Sequence, residues 1–134
     1  MKAILKNYRQ SPRKVRLVAG LIKGKKVDEA LTELNFLAKR AGEPIQKLLK
    51  SAISNAKQNF GMNEENLYIK EITVDKGVTL RRSMPRSHGM ANRINKRSSH
   101  IVLVLAENPS AVKKDVKKVK APKAVAAKVK KAKK

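Results

Sequence analysis

Cysteine and tryptophan are missing from this chain of 134 residues, and acidic side chains are scarce. Without cysteine there is no disulfide framework and no thiolate zinc site, a composition that suits a reducing compartment without requiring one. The four aromatics, Tyr8, Phe36, Phe60 and Tyr68, are too few for a base-stacking platform of the kind that grips single strands. Phe36 and Phe60 are moreover expected in the core by their spacing. The longest apolar run, Ile101–Ala106, falls far short of the roughly 20 residues that span a bilayer, so no membrane partner is expected.

What the chain has in excess is positive charge. Its 33 Lys and Arg against 10 Asp and Glu give +23, and self-repulsion of that size opposes a compact state. A polyanion relieves it, nucleic acid being the usual one and an acidic membrane surface the rival. Residues 1–107 carry 22 basic and 9 acidic side chains, whereas residues 108–134 carry 11 lysines and one acid. The chain thus divides into a domain over 1–107 and a Lys/Ala-rich tail over 108–134. That tail cannot build a core, is expected to be disordered when free, and suits a non-specific electrostatic tether.

Helical signals come first. Ser11-Pro12 opens a helix, the serine side chain positioned to accept an orphan N–H and the proline pre-set for the first helical position. Val15, Val18, Ala19 and Ile22 follow at helical spacing, and Gly24 supplies a stop. Residues 1–27 are acid-free and superficially resemble a mitochondrial transit peptide, but a cleavable segment needs neither a cap nor a packing face. A second helix starts near Asp28-Glu29, with a stripe of Ala30, Leu31, Leu34, Leu37 and Ala38, and ends at Lys39-Arg40 and Gly42. The third is the clearest: Ile45, Leu48, Leu49, Ala52, Ile53, Ala56 and Phe60, with Pro44 in its first turn and Gly61 as stop.

Strand signals follow. In "LYIKEITV", Leu67 and Ile69 share one parity and Ile72 and Val74 the other, so a bulge at Lys70-Glu71 is predicted to return both pairs to one face. Ser98–Glu107 alternates through Ile101, Leu103 and Leu105, and Val102 and Val104 on the other side predict a central strand covered on both faces. Helices before strands indicate an α+β fold with an antiparallel sheet. Between the strands lies "TLRRSMPRSHGMANRINKRSSH", with six Arg and Lys, two His and no acid. As a hairpin over about 78–100, its arms extend the strands by on the order of 25 Å at ~3.3 Å per residue. It has no hydrophobic face to hold it in water. A loop serving solubility alone would mix both signs of charge. Here Arg outnumbers Lys, and its planar fork holds phosphates two-pronged and stacks on bases.

Arg9, Ser11, Arg13, Lys14 and Arg16, with Lys23, Lys25 and Lys26, form a second cationic cluster. A basic helix N-terminus suits phosphate, although a solvated helix face explains the same residues equally well. "GLIKGKK" fails as a phosphate-binding P-loop, since its glycines are one residue too close and no Ser or Thr follows the lysine. His88 and His100 have no acid between them, so catalysis lacks an orienting carboxylate and contact with RNA is the better reading. Metal ligands are too few for a site.

"SPRKVRLVAGLIKGKKVDEAL", "LLKSAISNA", "LYIKEITVDKG" and "RSMPRSHGMANRINKRSSHIVLVLAE" together resemble the family of the bacterial large-ribosomal-subunit protein numbered twenty-two, over roughly residues 4–107. The resemblance implies three helices on a small three-stranded antiparallel sheet, a long protruding β-hairpin, and a cytoplasmic, ribosome-bound, non-enzymatic protein. It implies large-subunit ribosomal RNA, neighbouring ribosomal proteins and the nascent peptide as partners, with no cofactor, no metal and no homo-oligomer. By position, RNA contacts fall on Ser11, Arg13, Lys14, Arg16, Lys25, Lys26, Arg81, Arg82, Arg86, Arg93, Lys96, Arg97, Ser98 and His100, to which the residues themselves add Arg9 and His88. A tunnel-facing tip falls on Met84, Pro85, Arg86, Ser87, His88, Gly89, Met90, Ala91 and Asn92. The tip departs from the family pattern at His88 and Met90, and the tail lies outside the resemblance. The alternative is a nucleoid-associated protein wrapping duplex DNA; an RNA-processing enzyme would need a catalytic group that the chain does not display.

Overall fold

The computed structural model describes residues 1–107; the expectations for the 108–134 tail lie outside the described residues. The chain opens with β1 (Lys2–Tyr8), followed by α1 (Pro12–Ile22), α2 (Val27–Phe36) and α3 (Gly42–Phe60). After a short 3-10 turn at Glu64–Asn66 come β2 (Leu67–Lys76), β3 (Leu80–Pro85), β4 (Ala91–Lys96) and β5 (Ser99–Glu107). β5 is the centre of a three-stranded antiparallel sheet in the order β1-β5-β2, and β3 pairs only with β4 in a separate two-stranded ribbon. This is the expected α+β architecture.

The predicted bulge is present. Ile69 faces Leu105 and Glu71 faces Val104, so the register slips at Lys70. Leu67, Ile69, Ile72 and Val74 are all buried as a result, because one inserted residue exchanges the two faces of a strand. β1 carries only Ala3 and Leu5 as inward alternating residues among lysines, too short a signal to read from sequence. The long-range ladder to β5 makes it a strand, completed where the Met1 ammonium donates to the Leu105 carbonyl at 3.0 Å. Residues 1–27 therefore supply a strand and a helix to the body.

Ser11 precedes α1 as expected, but its side chain makes no cap bond; its carbonyl instead accepts from Lys14 and Val15. Val15, Val18, Ala19 and Ile22 pack inward. Gly24, at φ +79, then turns the chain so that its N–H donates to Ile69 O and Ile69 N–H donates to Lys25 O. That exchange stitches the basic loop after α1 onto β2.

α2 ends at Phe36, short of the expected Lys39-Arg40, because Leu37 is extended and Lys39 N–H closes a turn onto Leu37 O. Gly42 is the buried first residue of α3, where the expectation had it stopping α2. A Cβ there would meet Leu37 O at 3.5 Å and Leu34 O at 3.6 Å, ordinary van der Waals contact, so the start of α3 lies close against the preceding loop without demanding glycine. Gly61 caps α3 at φ +62, its N–H donating to Lys57 O, as expected.

Two aromatic expectations fail. Phe36 is 85% exposed and Phe60 61%. Phe36 lies two residues beyond buried Leu34, on the opposite side of the helix. Phe60 follows the last buried residue of α3, Ala56, by a full turn. The core is therefore aliphatic: Leu49, Ile45 and Ala52 of α3, Val15 and Val18 of α1, and Ile101, Leu103 and Leu105 of β5. The other side of β5 differs from expectation too. Val102 and Val104 are only half-buried, and among the described residues the packed helices cover one face of the sheet. No helix there is long and apolar enough to cross a membrane.

Where the body gives way to the ribbon the ladder is interrupted. The body's last pair is Lys76–Ser99 and the ribbon's first is Leu80–Lys96. Between them Gly77 N–H donates to Ser98 O at 2.9 Å, and Ser98 Oγ donates to Val78 O at 2.6 Å. His100 Nδ1 accepts from the Asn7 N–H at 3.1 Å. A Cβ on Gly77 would meet Ser98 Oγ at 2.6 Å and His100 Nε2 at 3.1 Å, so backbone and side chains close this neck without spare room.

Two outcomes test this packing. Leu103→Ala is expected to cost about 2–5 kcal/mol in urea unfolding, whereas Phe36→Ser should stay within about 0.5 kcal/mol of the parent. Gly77→Ala should destabilise by roughly 1–3 kcal/mol through overpacking at the neck, and amide hydrogen exchange should show the loss spreading to Asn7 and Ser99.

Candidate nucleic-acid interface

Every residue of β3 and β4 is exposed. The register is regular, from Leu80 opposite Lys96 through Arg82 opposite Ile94 to Pro85 opposite Ala91. The strands run further than the sequence suggests, since Met84, Pro85, Ala91 and Asn92, assigned to the tip, are paired positions. Pro85 is tolerated as the terminal pair. The reversal itself is Arg86–Met90, closed by Arg86 N–H donating to Met90 O at 2.7 Å and Met90 N–H to Ser87 O at 3.3 Å. Gly89 takes the expected turn geometry at φ +67. His88, at φ +58, occupies the same left-handed region, which the sequence does not announce because histidine adopts it only occasionally.

Electrostatically the ribbon is unanswered. Arg81, Arg82, Arg86, Arg93, Lys96 and Arg97 are exposed, and no acid occurs from Lys76 to Ala106. Among the described residues the ion pairs are Lys25–Glu33, Lys47–Glu43 and Lys57–Glu64, none of them on the ribbon. The hydrogen bond from Lys47 and then its charge hold the Glu43 carboxyl below the usual range. The body's acids are thus partly matched by its own lysines, while the ribbon's guanidinium groups find only backbone, as where Arg82 Nη1 donates to Arg81 O at 2.8 Å.

The second cluster divides. Arg9 just before α1, Arg13 and Lys14 in its first turn, and Lys23 and Lys26 after it are exposed. Arg16 is engaged internally: its Nε and Nη2 both donate to Val74 O, at 3.0 and 2.7 Å. That fork ties α1 to β2 just before the neck, a role spacing alone conceals, because the acceptor is a carbonyl 58 residues away. Lys25 is half-buried and pairs with Glu33.

Ser98, expected as an RNA contact, faces inward at the neck. It is buried, and its hydroxyl is satisfied inside the neck. His100 is half-buried with one ring nitrogen engaged by Asn7. His88 stays exposed in the turn at the far end of the ribbon. Among the described residues no group of His, Asp or Glu is arranged to hold a metal. The arrangement offers cations on an exposed two-stranded support and on the start of a helix, held by a common aliphatic body. Its chemistry is anion binding.

Comparison with known proteins agrees with this geometry. Residues 3–106 match the family described as Ribosomal protein L22p/L17e. Relatives named Large ribosomal subunit protein uL22 include that of Thermoanaerobacter sp. (strain X514), 53% identical over 106 residues, covering 79% of this chain and 96% of the relative. That of Acetivibrio thermocellus is 54% identical over 106 residues, covering 79% and 85%. That of Oceanobacillus iheyensis is 50% identical over 106 residues, covering 79% and 94%. A match spanning the helices, the sheet and the ribbon together establishes that the chain belongs to the ribosomal protein L22p/L17e family.

Proposed function

We propose that this protein is a structural constituent of the large ribosomal subunit, held on the cytoplasmic ribosome by its contacts with large-subunit ribosomal RNA. It is not an enzyme; it neutralises phosphate charge and fits RNA shape, and so supports subunit assembly. The carrying observation is the ribbon between Leu80 and Lys96, exposed along its length and cationic without an acid to answer it. Isolated hairpins are marginal in water, so RNA closing around the ribbon supplies the order that the body does not.

In this reading the ribbon projects from the body as a long hairpin, its six paired residues on each strand reaching about 20 Å at ~3.4 Å per residue. Arg81, Arg82, Arg86, Arg93, Lys96 and Arg97 grip phosphates. Arg9, Arg13, Lys14 and Lys26 make a second contact at the body, Ser11 adding its polar side chain and Lys25 sharing its charge with Glu33. Arg16, Ser98 and His100 hold the geometry that presents these groups. The turn Arg86–Met90 is the part that lines the nascent-peptide exit tunnel, where Met90, Gly89 and Ser87 face something other than phosphate. Domain 1–107 acts as one RNA-binding unit, and the 108–134 tail adds an electrostatic tether. Neighbouring ribosomal proteins, and no second copy of this chain, complete the surroundings. The family assignment removes the ground for the duplex-DNA alternative.

Replacing Leu80–Lys96 by an Asn-Gly turn tests both halves of this reading. The urea midpoint should hardly move, because the replaced residues contribute nothing to the buried core. Binding to a large-subunit RNA transcript should lose about 4 in the slope of log K against log salt, for five cations at ~0.7–0.9 each. Equal affinity of the intact chain for that transcript and for duplex DNA at matched salt would contradict the proposal.

A further inference from the structure

The register of the ribbon sorts its side chains into two chemically different faces. Directly opposed residues of an antiparallel pair share a face, and faces alternate along each strand. One face therefore presents Leu80, Arg82 and Met84 from β3 with Lys96, Ile94 and Asn92 from β4. The other presents Arg81, Ser83 and Pro85 with Asn95, Arg93 and Ala91. On the first, Leu80, Ile94 and Met84 zigzag across the strands as diagonal neighbours, 39%, 40% and 51% exposed respectively. On the second there is no large apolar side chain except the terminal proline, and Arg81 and Arg93 lie diagonally without an acid between them.

We propose that the ribbon holds RNA with its two faces by different chemistry: Leu80, Ile94 and Met84 pack on ribose or on the flat of an unstacked base, while Arg81 and Arg93 clasp phosphates on the other side. This rests on the RNA-binding reading above and assigns its contacts. The apolar strip has no covering layer among the described residues, and a two-stranded ribbon cannot supply one. Its occupant is RNA rather than a protein segment because Arg82 and Lys96 flank the strip on the same face, and the whole stretch Lys76–Ala106 offers no acid to a basic partner. Sugar-phosphate strands present apolar and anionic groups side by side, matching that alternation. A purely electrostatic arm would have no use for leucine, isoleucine and methionine in water.

Salt dependence separates the two kinds of contact, since only displaced counterions change the slope. The full chain is titrated with a transcript of bacterial large-subunit ribosomal RNA over a salt series, alongside two double variants. Leu80→Thr with Ile94→Thr places strand-favouring β-branched residues at both positions and is expected to bind on the order of tenfold more weakly at every salt concentration, with an unchanged slope. Arg81→Gln with Arg93→Gln is expected to lower the slope by between about 1 and 2. Leu80→Val with Ile94→Val should bind as the parent does. Parent-like affinity of the threonine variant overturns the proposal, and so does an equal loss in the valine variant, which would trace the effect to strand pairing. Failure of the parent itself to prefer this RNA over duplex DNA would instead overturn the functional reading beneath it.

Discussion

Guanidinium and ammonium groups that have no carboxylate within reach repel one another, and at physiological salt that repulsion extends over a Debye length of about 8 Å. The structure separates this repulsion from the folding of the body. The few acids are gathered mostly on α2, the start of α3 and the turn after it, where Glu33, Glu43 and Glu64 pair with lysines. One long acid-free, cationic stretch is carried on a ribbon that shares no core with the helices. Folding the body thus does not require gathering the ribbon's charges.

Such a division needs a joint, and the joint is built from polar groups rather than hydrophobic ones. Ser98 closes onto Val78, Gly77 onto Ser98, and Asn7 onto His100, while Arg16 forks onto Val74 one short step back along β2. These are directional bonds whose strength depends on alignment, so they specify an angle where an apolar contact would only specify proximity. Arg16, Ser98 and His100, which the sequence groups with the free cations, are in the folded chain bonded within or beside this joint.

Much of the body was legible because its signals are local and repeated. The α3 stripe recurs through several turns, and the parity switch in β2 has one simple remedy, a bulge. The failures share a cause as well. β1 is recognisable only through its partner β5, nearly a hundred residues later. Phe36 and Phe60 stand where a helix ends, and where a helix ends is settled by the turn that follows and by what the neighbouring element leaves uncovered. Val102 and Val104 look like the second face of a central strand, yet the helices pack on the opposite side. For the interface, composition located the ribbon and its charge but not its two faces, since a face exists only once the pairing register is set.

The sequence alone determined that this chain is cationic beyond what it can neutralise, that three helices come before the strands of its second half, and that an acid-free stretch interrupts the sheet. Those properties belong to residues and their near neighbours, so they survive without coordinates. Tertiary structure decided which cations remain free and which, like Arg16, are taken up by a distant carbonyl. It also decided that Ser98 turns inward, and that Leu80, Ile94 and Met84 come together on one side of the ribbon. Each of these depends on groups far apart along the chain meeting at bonding distance, and only the folded backbone brings them there.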